Sequence, residues 1–239
     1  MTQSEPQPVI WSRLSGQGRG PARTLDHETI TAAAIAIADE EGLDAVTMRK
    51  IASRVGHSPM ALYRHVGNKE DLEELMYDAV LGELDLASGR SGDWRDDLAH
   101  LAAVNRRMHH RHPWMSNLGQ RPTLGPNSIR LMEHAMACVD SPGRGIDEMM
   151  DMAATVLHFT SGFVHEELAT AAAQKRTGLD RAGWHRRMTP YVTELLSKGE
   201  HPYVTRMILE AEDHPDPDTV FERRLGLVLD GLAAGAQPR

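Results

Sequence analysis

The sequence predicts an all-α chain: a small N-terminal three-helix unit followed by a larger helical region. Three observations carry this. Ala, Leu, Glu, Asp, Arg and Met are plentiful, whereas aromatics are scarce, with 3 Phe, 4 Trp and 4 Tyr against 13 Met; that balance favours helix over sheet. Apolar residues recur at spacings of three and four, with no strand pairs, internal repeat or βαβ alternation. Ser, Thr, Asp or Asn precede several periodic segments and Gly follows them, the punctuation of helix ends.

Residues 1–24 are rich in Pro, Gly, Ser and Gln and read as a flexible basic arm ending in Arg19 and Arg23. Gly16, Gly18 and Gly20 are not a dinucleotide fingerprint, because no strand precedes them and Pro21 follows. The first helix covers about 26–41, with Asp26 as N-cap, Ile30 and Ile37 on its buried face and Gly42 as its stop. A second follows Thr47 and runs to Val55, with Ile51, Ala52 and Val55 inward and Gly56 as its stop. The third opens on Ser58 and Pro59, serine at the cap and proline at the first helical position, and ends near Val66. Asn68 caps a fourth, whose first-turn Glu70 and Asp71 suit the positive end of the helix dipole. After a linker at 87–92, helical spacing resumes in Leu98, Leu101, Asn105 and Met108. Further helices are expected at about 127–139, 147–173, 181–196 (broken or bent by Pro190) and 219–234.

At 239 residues the chain is long enough for one or two domains with full cores. The single cysteine, Cys138, excludes an intrachain disulfide and points to a reducing, cytoplasmic setting. No apolar run approaches the ~18–20 residues of a membrane span, and no signal-peptide pattern opens the chain. The net charge is −8, but unevenly spread. Residues 1–69 hold 8 Lys/Arg against 7 Asp/Glu, and residues 70–239 hold 18 against 27. Within 47–69 stand Arg49, Lys50, Arg54, Arg64 and Lys69 without one acidic residue. An acidic chain with one purely basic segment is compatible with phosphate binding there, or with a solvated surface.

The second and third helices are joined by only Gly56, His57 and Ser58. Two short helices on such a turn form a helix-turn-helix, whose second helix fits the DNA major groove. With Leu62 and Val66 facing inward, Met60, Tyr63 and Arg64 face outward. An exposed Met beside Tyr suits thymine methyls and sugars. Arg49 reaches toward guanine or phosphate, and the helix starts at Thr47, Ser58 and Asn68 offer backbone N–H groups to phosphates, with Lys69 adding a cation. An ordinary three-helix bundle with a basic surface is the other reading of the same residues.

The segment from Leu25 to Leu84 resembles the DNA-binding domain of the TetR family of transcriptional repressors. The resemblance rests on Glu41-Gly42-Leu43-Asp44-Ala45-Val46-Thr47-Met48-Arg49 and on Pro59-Met60-Ala61-Leu62-Tyr63-Arg64-His65-Val66-Gly67-Asn68-Lys69-Glu70-Asp71-Leu72. It implies a helix-turn-helix domain at 25–84 and a helical ligand-binding and dimerisation domain at 93–236. It implies phosphate contacts from Thr47, Tyr63, His65 and Lys69. Base or methyl contacts fall to Arg49, Ser58, Pro59, Met60 and Arg64. Met60 and Arg64 occupy positions that vary with the operator, so no operator sequence carries over. Arg19 and Arg23 are placed either in the minor groove or in a disordered tail.

For the second domain the resemblance is looser, resting on His112-Pro113-Trp114, Gly125-Pro126-Asn127 and the segment from Leu131 to Ala135. Methionine suits pockets for varied apolar ligands. Met108, Trp114, Met132, Met136 and Phe159 are candidate pocket walls, or plain core. His158 lies on a polar stripe with Thr155, Ser161 and His165, which orients a ligand, faces solvent or crosses a dimer seam. His109 and His112, of the cluster His109, His110 and His112, stand at i and i+3 and could share a face, but no Cys or carboxylate sits at ligand spacing beside them and there is no His-Glu-x-x-His, so no metal or cofactor is expected. Cys138, among Met132, Ala135, Met136 and Val139, reads as an inert buried thiol. The 147–173 helix and the last helix carry more apolar positions than one face needs. They are expected to form a four-helix dimer bundle, or else the domain's own core.

The function expected is a homodimeric repressor released from a palindromic operator by a small-molecule effector, whose binding swings the fourth helix. Its partners are operator DNA, a second copy of itself and the effector; no membrane partner is expected. The alternatives are a ligand-independent helix-turn-helix regulator and a helical module that binds no DNA. No nucleophile–base pair, phosphate loop or metal set points to an enzyme.

Overall fold

The computed structural model describes residues 9–15, 25–88, 90–118, 124–211 and 216–235. Every regular element among them is helical. In order they are α1 (Ile10–Ser15), α2 (His27–Glu41), α3 (Met48–Val55), α4 (Pro59–Leu62), α5 (Lys69–Leu81), α6 (Trp94–Arg111), α7 (Pro126–Val139), α8 (Ile146–Thr177), α9 (Arg181–Leu196), α10 (Pro202–Glu210) and α11 (Pro217–Gly235). Short 3-10 turns occupy Leu43–Ala45 and Pro113–Asn117. The chain falls into two compact units, one ending at Leu157 and the other beginning at His158.

In the first unit the N-terminal helices are set by local chemistry. Asp26 accepts from the Thr29 N–H at 2.7 Å, Thr47 from Lys50 at 3.2 Å, Ser58 from Ala61 at 3.3 Å and Asn68 from Asp71 at 2.7 Å. Each satisfies one of the amides a helix start leaves open. Ile30 and Ile37 of α2, Ile51 of α3, Leu62 and Val66, and Leu72 and Met76 of α5 are all buried in one core. Leu98 and Leu101 of α6, Val139 of α7 and Val156 of α8 are buried as well.

Four elements differ from the sequence reading. Residues 10–15, read as part of an arm, form α1, because Ile10 finds a buried seat at 1% exposure. Residues 1–8 and 16–24 of that arm, Arg19 and Arg23 among them, lie outside the described residues. The third helix keeps regular α geometry only over Pro59–Leu62. It closes through tighter bonds, Arg64 N–H to the Ala61 carbonyl at 3.3 Å and His65 N–H to Leu62 at 2.9 Å. α9 runs unbroken through Pro190. Arg186, whose carbonyl loses its partner there, is exposed to solvent. α10 forms where no element was expected.

The second unit holds the later part of α8 with α9, α10 and α11. Its core is aromatic: the Phe163 and Phe221 rings meet edge-on at 5.1 Å and Phe159 stacks on Phe221 at 5.8 Å. Arg224 lies over Phe163 at 5.6 Å. Leu225 and Leu229 extend this core along α11.

Candidate nucleic-acid interface

α3 and α4 make the two arms of a tight turn. Gly56 closes α3 with φ 73° and ψ 28°, and its N–H bonds the Ala52 carbonyl. A side chain at this left-handed position costs about 1–2 kcal/mol, so glycine is what allows the chain to reverse within three residues. Leu62 and Val66 then turn wholly inward and anchor the second arm. That anchoring fixes the outward set: Met60 is 71% exposed and Tyr63 49%. Arg49, Ser58, Pro59 and Arg64 are exposed with them, while His65 is half-buried.

Thr47, Tyr63 and Lys69 come together around one concavity of about 310 Å³, lined also by Asp44, Val46, Met48 and Leu72. These three residues come from the start of α3, the end of α4 and the start of α5. A hydroxyl, a phenol and an ammonium around one hollow make a donor set for a phosphate oxygen. The caps of α3 and α5 each use one first-turn amide, which leaves other N–H groups at both helix starts open.

The basic segment is less charged than its composition indicates. Lys50 pairs with Glu41, and Arg54 grips both oxygens of Glu40 at 2.6 and 2.7 Å. Both cations therefore tie α3 to α2. Lys69 pairs with Glu73 at 3.3 Å, an exposed pair that a phosphate can displace. Among the basic residues of 47–69, Arg49 and Arg64 thus stand without an ion pair among the described residues, and Lys69 is held only by an exposed one.

The residues suggested for a ligand fall in both units. Met108 and Trp114 are buried in the first unit, Met136 is half-buried and Met132 is 58% exposed. Trp114 also donates to Asp39 at 2.6 Å, so its indole is committed to α2. His158, Ser161 and His165 are exposed in the second unit, Thr155 of the same stripe is exposed in the first, and Phe159 belongs to the aromatic core. Cys138 is buried, and burial pushes its thiol up to about 11.

The sequence reading missed a polar pair on α6. Asn105 is 5% exposed, and its Oδ1 has no hydrogen-bond partner among the described residues. One turn on, the His109 Nδ1 bonds the Asn105 carbonyl at 3.0 Å. Burial holds His109 below the usual imidazole range, which favours the neutral ring. Its signal in the sequence was an Asn at an apolar position between Leu101 and Met108.

A helix-turn-helix with an exposed methionine, tyrosine and arginine on its second arm, and with Thr47, Tyr63 and Lys69 around a hollow beside it, has the form of a DNA-binding protein. Comparison with known proteins gives the family. Residues 30–75 match "Bacterial regulatory proteins, tetR family", and residues 88–235 match "Tetracyclin repressor-like, C-terminal domain". The HTH-type transcriptional repressor DrrR1 of Streptomyces coeruleorubidus is 32% identical over 94% of this chain and 83% of its own. The class A tetracycline repressor from transposon 1721 in Escherichia coli is 27% identical, over 87% of this chain and 91% of its own. Among solved structures, ActR of Streptomyces coelicolor in complex with actinorhodin superposes with a TM-score of 0.74. It is 26% identical and covers 90% of this chain and 99% of its own. The chain belongs to the TetR family of transcriptional regulators. It is a DNA-binding, effector-responsive repressor whose partners are an operator, a second copy of itself and a small-molecule ligand. Among the described residues no helix is long and apolar enough to cross a membrane.

Proposed function

We propose that residues 25–84 bind the operator and that residues 93–236 dimerise and receive the effector. The protein acts in the cytoplasm, where its DNA is, and catalyses no reaction. The exposure of Met60 and Tyr63 over a fully buried Leu62 and Val66 carries this reading. Arg49, Ser58, Pro59, Met60 and Arg64 meet base edges and methyls. Thr47, Tyr63, His65 and Lys69 hold the phosphates that fix the register. Two copies present two such helices to successive major grooves, about 34–36 Å apart. The dimer seam runs along α8 and α11; the 68% exposure of Leu227, on an α11 whose Leu225 and Leu229 are already buried, supports it.

The effector is a largely apolar molecule that carries at least one hydrogen-bond donor. Asn105 supports the donor, since a buried acceptor without a partner costs about 1–3 kcal/mol until one arrives. Met108 and Met136 supply adaptable walls. Actinorhodin, which is bound by ActR, is the first probe to try.

The test is random-sequence selection with the full chain, followed by titration of the selected duplex at several salt concentrations. Tight binding that falls steeply with salt and is lost in Tyr63→Ala is the expected result. Binding that Tyr63→Ala leaves intact would overturn the site assignment.

A further inference from the structure

Asp71 and Asp78 lie seven residues apart on α5, so they share one face of the helix. Both are buried carboxylates outside the DNA-contact set, and each is held by a distant part of the chain. Asp71 accepts from the Arg13 guanidinium and, at 3.1 Å, from the N–H of Gly67, the residue that joins the recognition turn to α5. Asp78 is 2% exposed. It accepts from the Asn127 N–H at 3.1 Å, the Asn127 side-chain amide at 3.0 Å, the Ser128 N–H at 2.8 Å and the Ser128 hydroxyl at 3.1 Å. The cap of α7 is thus supplied by α5, because Gly125 at the α7 start brings no side chain to do it.

α1 covers the interval between these two carboxylates. Ile10 is buried and Arg13 reaches Asp71, so the short helix is held by one apolar and one ionic anchor. At its other end the Trp11 ring and the Asp78 carboxylate crowd Gly125 so closely that a Cβ there would collide with both. At Gly67 a Cβ would meet the Arg13 guanidinium at 2.8 Å and the Asp71 carboxylate at 2.9 Å. Segments this close move together or not at all.

We propose that α1 is a strap that positions α5, and through Gly67 the recognition helix α4, against the start of α7. It touches no DNA itself. Docked, it ties the end of the recognition turn to Asp71 and holds Trp11 against the Asp78–Gly125 junction. Released, it frees α5 to pivot, and the two recognition helices of the dimer lose their fixed separation. Binding to a two-half-site operator needs that separation, whereas non-specific binding through phosphates does not.

The experiment uses the full chain, a duplex chosen by selection with the unaltered protein, and a scrambled duplex of equal length at the same salt. The variants are Ile10→Ser, Arg13→Ala and Arg13→Lys, each checked for helix content and thermal unfolding. Arg13 is one-third exposed, so its replacement leaves the core intact. Ile10→Ser and Arg13→Ala should each lower the ratio of selected to scrambled affinity about tenfold, within the range of coupling between linked sites. Arg13→Lys, which keeps the charge at Asp71, should hold the ratio near the starting value. An unchanged ratio in Ile10→Ser and Arg13→Ala overturns the proposal. So does an equal weakening on both duplexes, which marks lost charge alone.

Discussion

His112 Nδ1 stands 2.8 Å from Asp39 Oδ1, joining the end of α6 to α2. The other ring nitrogen lies 3.2 Å from Glu83 Oε2, just beyond α5. Asp39 also accepts from Trp114 Nε1. One buried imidazole therefore links the helix that supports the helix-turn-helix with the helix that carries Asn105. Asp39→Ala leaves the Trp114 and His112 donors without an acceptor and is expected to lower stability by about 1–3 kcal/mol. Asp39→Asn keeps an acceptor and should cost less. Urea unfolding of the two variants checks this, and an unmoved midpoint in Asp39→Ala would show that the link contributes nothing to folding.

Gly56 sets the turn between α3 and α4 at φ 73°, with nothing within 4 Å of a Cβ placed there. Space is therefore free and only backbone strain opposes a side chain. Gly56→Ala should destabilise the protein by about 1 kcal/mol, read as a drop in thermal midpoint. Gly56→Asn should lose less, because Asn tolerates the left-handed region. Equal losses in both variants would place the cost elsewhere than in the dihedral angle.

Much of this first unit is legible because its causes are local. Asp26, Thr47, Ser58 and Asn68 act as caps within three residues of themselves, and helical spacing alone puts Leu62 and Val66 inside and Met60 and Tyr63 outside. What escapes is whatever depends on partners far along the chain. Ile10 gives α1 no periodic pattern; its seat comes from packing. Lys50 and Arg54 count as basic in sequence, yet they spend their charge on Glu41 and Glu40 of α2. Asp78 sits within an apolar helix face and shows its purpose only when Asn127 and Ser128 arrive beside it.

Burial and an elevated thiol make Cys138 unreactive. The thiolate is the nucleophile, and with the thiol raised to about 11 almost none is present at pH 8. A disulfide reagent at pH 8 should leave the native protein unlabelled and should label one thiol after denaturation. Fast native labelling would contradict the burial of this part of α7.

His109 should make stability fall in acid. Its folded ring is held below the ordinary imidazole value of 6.5 by burial. The unfolded chain therefore binds the extra proton first, and stability rises with pH wherever the unfolded state holds more protons. This contribution is present above pH 6.5 and is lost as pH falls below it. His109→Gln should flatten the decline in thermal midpoint between pH 7 and pH 5. The same slope in variant and parent would assign the acid sensitivity to another group.

Phosphate and base contacts separate by their salt and sequence signatures. Lys69 lines the hollow with Thr47 and Tyr63, a site for backbone phosphate. Lys69→Ala should weaken binding to every duplex alike and reduce the slope of log affinity against log salt by about one. Met60 and Arg64 stand on the outer face of the recognition helix. Met60→Ala and Arg64→Ala should instead change which bases are selected at particular positions, each lost contact costing about 1–3 kcal/mol on the preferred base. Random-sequence selection with each variant reads the base preference directly, and titration over a salt series reads the slope. If Lys69→Ala shifted base preference while Arg64→Ala lowered affinity uniformly, the two roles would be exchanged, and the recognition turn would lie on the duplex with α5, not α4, toward the groove.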